Sequence, residues 1–126
     1  MVKGFYRCPV CGKVAQVVFE GPGKMVCCGK PMEELKANAT DASQEKHVPQ
    51  VEVNGDHVTV CVGSVSHPMT EAHLINWIYL DTDKGGQYHY LAADEAPKAE
   101  FVVPAGEKPL AVYAYCNLHG LWVKEL

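Results

Sequence analysis

The stretch Gln50-Val51-Glu52-Val53-Asn54-Gly55-Asp56-His57-Val58-Thr59-Val60-Cys61-Val62 decides the fold. Apolar side chains alternate with polar ones on both sides of Asn54-Gly55, a dipeptide that favours a two-residue hairpin turn. A period of two puts all the valines of each arm on one face, so the segment reads as a half-buried antiparallel pair. Further strands are expected at 73–80, 87–91, 99–103, 110–116 and 121–124, with turns at Lys84-Gly85-Gly86 and Pro104-Ala105-Gly106. Seven short strands with regular turn signals predict a mainly β chain built on an immunoglobulin-like antiparallel β-sandwich.

The chain has 126 residues, room for one ordinary domain or for a small module beside a domain of about 80–90 residues. A formal charge of −4 with scattered lysines argues against a nucleic-acid partner or a polybasic membrane surface. An anionic substrate must therefore be attracted locally. No apolar run has the length of a membrane span, and Met1-Val2-Lys3-Gly4-Phe5-Tyr6-Arg7-Cys8 lacks a signal-peptide core. A cytoplasmic location is expected. In that compartment thiols stay reduced, so the six cysteines are not expected to form a disulfide framework, and the clustered ones point to metal binding.

Residues 1–36 read as a miniature module held by metal. In Cys8-Pro9-Val10-Cys11-Gly12 the two-residue spacer lets both thiolates face one ion, and Gly12 permits the positive φ of such a knuckle. A short strand is expected over 14–19, a turn at Gly21-Pro22-Gly23, and then the second pair, Cys27-Cys28. A segment this short cannot bury enough apolar surface to fold alone, and a bound ion supplies the missing free energy. Four thiolates suit zinc or a single iron. The adjacent cysteines distort a tetrahedron that a second Cys-x-x-Cys would satisfy, and a vicinal disulfide is the remaining alternative. Small polar residues over 37–44 form the expected linker, and residues 45–126 the main domain.

The main domain carries a second set of metal-ligating types. Pro68 keeps His67 out of a helix or central strand, so His67 belongs to a loop. His73 opens the run Leu74-Ile75-Asn76-Trp77-Ile78-Tyr79-Leu80, where a sheet is expected to hold its side chain rigidly. Near the C-terminus, the turn Cys116-Asn117-Leu118-His119-Gly120 sets a thiolate and an imidazole three apart, a spacing that lets them share one ion. Cys61 reads instead as a small core residue, and His57 and His89 as ordinary strand residues.

Taken together, Cys8-x-x-Cys11 with Cys27-Cys28, Glu45-Lys46-His47-Val48-Pro49, His67-Pro68-Met69 with His73, and Cys116-Asn117-Leu118-His119-Gly120 resemble the desulfoferrodoxins, the two-iron superoxide reductases. The resemblance covers nearly the whole chain. It implies a desulforedoxin-like iron site at Cys8, Cys11, Cys27 and Cys28. It further implies a catalytic mononuclear iron with His47, His67, His73 and His119 as equatorial nitrogen ligands and Cys116 as the axial thiolate. A homodimer and an external electron donor such as rubredoxin are implied as well. Lys46 is expected to attract superoxide or to help protonate the product, and Glu45 to cap the oxidised iron.

Four neutral imidazoles and one thiolate around Fe(II) leave a net charge of about +1 and one open position, which suits a small anion. A thiolate opposite that position stabilises the ferric product and favours giving an electron over taking one. The expected reaction is one-electron reduction of superoxide to hydrogen peroxide. A rival from another class is a small electron carrier working through the N-terminal iron, and a third reading is a zinc-held interaction domain. The carrier has no need for four histidines converging with Cys116, and the zinc domain has none for Lys46 beside them.

Overall fold

A computed structural model describes residues 4–126, and the chain divides into a unit ending at Lys36 and a unit spanning Ala37–Leu126. In the first unit, β1 (Phe5–Arg7) lies between β2 (Val14–Gln16) and β5 (Glu33–Glu34), while β3 (Val26–Cys27) pairs with β4 (Lys30–Pro31). Among its described residues, Phe5 and Cys8 alone are buried. With so little apolar surface removed from water, this unit depends on its cysteine cluster for stability. The strand expected over 14–19 stops at Gln16. Beyond Val17, whose N–H reaches the Gly4 carbonyl, Val18 and Phe19 are exposed and have no layer to pack against.

The second unit opens with a short helix, α1 (Gln44–His47), and continues through β6 (Pro49–Asn54), β7 (His57–Val62), β8 (Ile75–Thr82), β9 (Gly86–Tyr90), β10 (Lys98–Val102), β11 (Pro109–Cys116) and β12 (Gly120–Glu125). All pairings are antiparallel, in a three-stranded sheet β10-β7-β6 and a four-stranded sheet β12-β11-β8-β9. The valines of β7 face inward as their alternation requires and Val51 of β6 packs against them, whereas Val53, next to the turn, is exposed. Val58, Val60 and Val62 with Phe101 from one sheet meet Ile78, Leu80, Val112 and Ala114 from the other. Each of these buried valine, leucine, isoleucine and phenylalanine side chains contributes roughly 1.5–3 kcal/mol. No helix among the described residues is long and apolar enough to cross a membrane.

Two local expectations shift. Asn54 pairs with His57, so the hairpin turn is Gly55-Asp56, with Gly55 at φ +64° in the first central position. His73 does not belong to a strand. Thr70 and His73 exchange backbone hydrogen bonds of 3.0 and 3.1 Å, which closes a tight turn and delays β8 until Ile75. Residues 37–44 are tied to β12 through Asn38, whose N–H reaches the Leu121 carbonyl and whose side-chain oxygen accepts from Val123 N–H at 2.9 Å.

Candidate metal centres

The first cluster gathers Cys8, Cys11, Cys27 and Cys28, with all four sulfurs within 4.8 Å of one another. The knuckle forms as its sequence requires: Val10 and Cys11 N–H groups both point at Cys8 Sγ at 3.4 Å, and Gly12 takes φ +80°. The adjacent cysteines meet the same site because Cys28 adopts φ +54°, a left-handed conformation that turns its sulfur back to 3.9 Å from Cys27 Sγ. No disulfide forms there or elsewhere among the described cysteines. The hydrogen bond from Cys11 N–H, the largest influence, holds the Cys8 thiol down to about 6, whereas hydrogen bonding with Cys8 and Cys11 pushes Cys27 up to about 12. Four crowded thiols cannot all ionise without a neutralising charge, and a metal cation supplies one.

The second cluster is built from four separate segments. His47 ends α1, and its Nδ1 lies 2.6 Å from the Ser43 carbonyl one turn back. His67 follows β7, its backbone N–H bonded to the Val62 carbonyl and its Nδ1 2.6 Å from the Pro68 carbonyl. A carbonyl only accepts, so each Nδ1 carries the proton and each Nε2 presents a lone pair. Those two Nε2 atoms face each other at 3.2 Å. His119 sets Nδ1 3.0 Å from His47 Nε2 and 3.9 Å from Cys116 Sγ. His73 Nε2 is a buried nitrogen with no hydrogen-bond partner.

The four rings close a square. Neighbouring centroids along His47, His67, His73, His119 and back to His47 are 4.7, 4.7, 5.0 and 4.9 Å apart, with planes at 74–85° to each other, and the His47–His73 diagonal is 6.4 Å. The buried Cys116 thiol joins them: its sulfur and one ring nitrogen each of His47, His67 and His73 lie within 4.8 Å of one another. Lone pairs aimed at one another in a buried space repel unless a cation lies between them, so the donor set fits a metal ion of mixed nitrogen and sulfur preference. Burial, the largest cause, lowers the pKa of His47 and His73 and brings His67 down to about 4, which keeps these rings neutral and able to ligate at pH 7. Burial raises the pKa of the Cys116 thiol, so a bound cation is what makes it a thiolate.

Glu45 and Lys46 are exposed on α1 directly before His47. After the effects of burial and the neighbouring histidines, the Lys46 charge also depresses the His47 and His73 pKa values, which puts both rings in its field. The carbonyl of Glu45 accepts from Val65 N–H at 2.8 Å and from the Ser64 hydroxyl at 3.2 Å. Gly63 lies so close that a Cβ there would meet the Glu45 carbonyl oxygen at 2.5 Å. The expected order of rigidity is reversed: His67 is buried and anchored through its ring, while His73 is partly exposed in a turn.

His57 pairs with Asp56 at the exposed hairpin end and His89 lies on β9 against Phe101; Cys61, near the end of β7, alternates with the inward valines and is half-buried rather than in the core expected for it, and all three lie outside the two clusters. Sequence reasoning missed Trp122, whose indole stacks on His47, and Gly63. Trp122 lies close behind the Cys116-to-Gly120 turn, but nothing in its spacing says which ring it covers.

The model of the family described as "Desulfoferrodoxin" matches residues 39–125, and that of "Desulfoferrodoxin, N-terminal domain" matches residues 2–35. A desulfoferrodoxin of Syntrophotalea carbinolica is 47% identical over 120 residues, 95% of this chain and 94% of the relative. A superoxide reductase of Pyrococcus horikoshii is 37% identical over 103 residues, 68% of this chain and 90% of the relative. The crystal structure of the superoxide reductase from Treponema pallidum superposes with a TM-score of 0.81 at 36% identity, covering 97% of this chain and 98% of that one.

Proposed function

The chain belongs to the desulfoferrodoxin family, and from that premise we propose that it is a superoxide reductase whose working metal is an iron held by His47, His67, His73, His119 and Cys116. The observation that carries this reading is the closed square of four imidazoles with a buried thiol beside it. An iron held by these five residues would supply the one electron that, with two protons, converts superoxide to hydrogen peroxide. The Ser43 and Pro68 carbonyls hold His47 and His67 in the ligating tautomer. Cys116, ionised against the cation, donates charge that favours the oxidised product. Lys46 attracts the anion to an acidic protein and stands ready to deliver a proton, and Glu45 supplies the carboxylate that neutralises the oxidised centre.

The four cysteines of the N-terminal unit hold a second iron, with zinc as the competing occupant. Electrons come from an external one-electron carrier such as rubredoxin, the protein works as a homodimer, and its six free thiols suit the reducing cytoplasm, where it removes superoxide under oxidative stress. A pure electron carrier has no need for the imidazole square.

Metal content per chain, together with the visible spectrum before and after a strong chemical oxidant, tests the reading. Two irons are expected, with one thiolate-to-iron band present at the outset and a second appearing on oxidation. Rapid mixing of the reduced protein with superoxide should then give peroxide without oxygen. Iron-replete protein with no oxidisable iron beyond the four-cysteine site would sink the proposal.

A further inference from the structure

The outer face of the four-stranded sheet carries six aromatic rings that neither metal cluster uses. They occupy two rows of paired positions across β11, β8 and β9: Tyr115, Trp77 and Tyr90 in one, Tyr113, Tyr79 and Tyr88 in the next. Trp77 stacks on Tyr115 at 5.5 Å and 7°, meets Tyr88 edge-on at 5.7 Å, and Tyr88 stacks on Tyr90 at 6.2 Å and 6°. Exposure rises along this path, from 7% at Tyr115 and 9% at Trp77 to 40% at Tyr88 and 75% at Tyr90. At its inner end Tyr115 is joined by one peptide bond to Cys116, whose side chain belongs to the interior on the other face of the sheet. Packing explains ring contacts across strands. It does not require the contacts to run unbroken from the neighbour of a metal ligand to a ring standing in water.

We propose that this path carries an oxidising equivalent outward from the Cys116 side of the metal centre to Tyr90, so that peroxide reacting with the reduced centre ends in one-electron oxidation of a surface tyrosine. The inference rests on the iron reading of the histidine–cysteine cluster. Hydrogen peroxide is the oxidant, and the proposed reaction itself supplies it. Splitting its O–O bond into two waters takes two electrons and two protons. Ferrous iron gives one electron and becomes ferric; the Tyr90 phenol gives the other, with its proton, and becomes a neutral phenoxyl radical; the second proton comes from water. Phenol and indole rings yield an electron only to a strong oxidant, so the path is silent while the centre merely reduces superoxide. Tyr90 is the end point because an exposed phenol passes its proton to water, which buried Tyr115 cannot do. The damage then falls on a replaceable surface ring instead of on Cys116.

The test uses full-length, iron-loaded, reduced protein mixed with hydrogen peroxide and a nitroso spin trap, with trapped residues mapped by peptide mass spectrometry and the radical recorded by electron paramagnetic resonance. A phenoxyl signal and an adduct on Tyr90 are expected, absent from metal-free protein. Trp77→Leu should lower the Tyr90 adduct several-fold and increase oxidation of Cys116. Tyr90→Phe, at an exposed ring that leaves the buried packing intact, should cut total trapped tyrosine several-fold. A Tyr90 adduct undiminished by Trp77→Leu, or a total yield unchanged by Tyr90→Phe, overturns the inference. The second thiolate-to-iron band, the one that appears only on oxidation, separates the two levels of failure: its absence overturns the functional reading and this inference together, whereas its presence without a Tyr90 adduct overturns this inference alone.

Discussion

The indole of Trp122 lies on the imidazole of His47, with ring centroids 4.8 Å apart and 25° between the planes. The same indole donates its N–H to the His119 carbonyl at 3.1 Å, so one buried side chain of β12 holds two corners of the square. Trp122→Ala removes both contacts and should cost about 3–5 kcal/mol, read from denaturant midpoints. Trp122→Phe keeps a ring over His47 but leaves the His119 carbonyl without its donor, a loss of about 1–3 kcal/mol. Iron should leave this variant faster when a chelator is added, although the five ligands are intact.

Gly63 governs the segment that carries Glu45 and Lys46. An added methyl at Gly63 meets backbone atoms of Glu45 and Lys46 at 2.5–3.0 Å, and backbone cannot swing aside as a side chain can. Gly63→Ala should destabilise the protein by roughly 1–3 kcal/mol and lower the rate with superoxide while iron content stays at the wild-type level. A wild-type rate in this variant would show that the segment tolerates displacement.

Tyr113 is expected to contribute to an alkaline limit on stability. Burial, followed by the nearby Asp81 and Glu125 carboxylates, raises its pKa above the usual tyrosine value. The folded protein therefore keeps a proton that the unfolded chain loses above pH ~10, so this contribution to stability is complete below that pH and declines as pH rises beyond it. Tyr113→Phe should flatten the fall in stability between neutral and strongly alkaline solution. An unchanged slope would assign the effect to other groups.

Much of this was legible in the sequence because strand alternation and ligand chemistry are local signals. The valine period around Asn54-Gly55 places a sheet face directly, and the cysteine knuckle follows from spacing and one glycine. What escaped was set by tertiary context. His73 looks like the start of a strand until the reciprocal bonds with Thr70 close a turn before it. The Cys27-Cys28 pair looks too crowded until Cys28 adopts a left-handed backbone. Trp122 and Gly63 matter through contacts with residues far along the chain, and no periodicity reports those.

A substitution at Cys11 distinguishes the roles of the two centres. Its sulfur lies 3.7 Å from Cys27 Sγ in an exposed part of the cluster, in a unit whose buried residues are few. Cys11→Ser should abolish the resting thiolate-to-iron band, release one metal per chain and loosen the N-terminal unit, detected by proteolysis. Retained turnover with superoxide in this variant assigns the four-cysteine metal a structural role. Turnover that fails only when the physiological donor supplies the electrons assigns it a relay.

The role proposed for Lys46 ties the charge balance of the protein to its rate. The chain carries a net −4, so superoxide approaching at random meets repulsion, and only a local positive field at the site reverses it. Lys46 is exposed beside His47, and its charge reaches both His47 and His73. Lys46→Ala takes the net charge from −4 to −5 and removes that field. The second-order rate with superoxide should fall roughly 10-fold, at the low end of steering effects. Salt supplies the more specific readout. Screening should slow the wild-type protein, because it weakens an attraction, and should leave the variant level or slightly faster, because the repulsion of the net charge then offsets the attraction left at the metal centre. Lys46→Arg should restore both the rate and the sign of the salt effect. If Lys46→Ala kept the wild-type rate and salt slope, attraction would have to come from the metal centre alone.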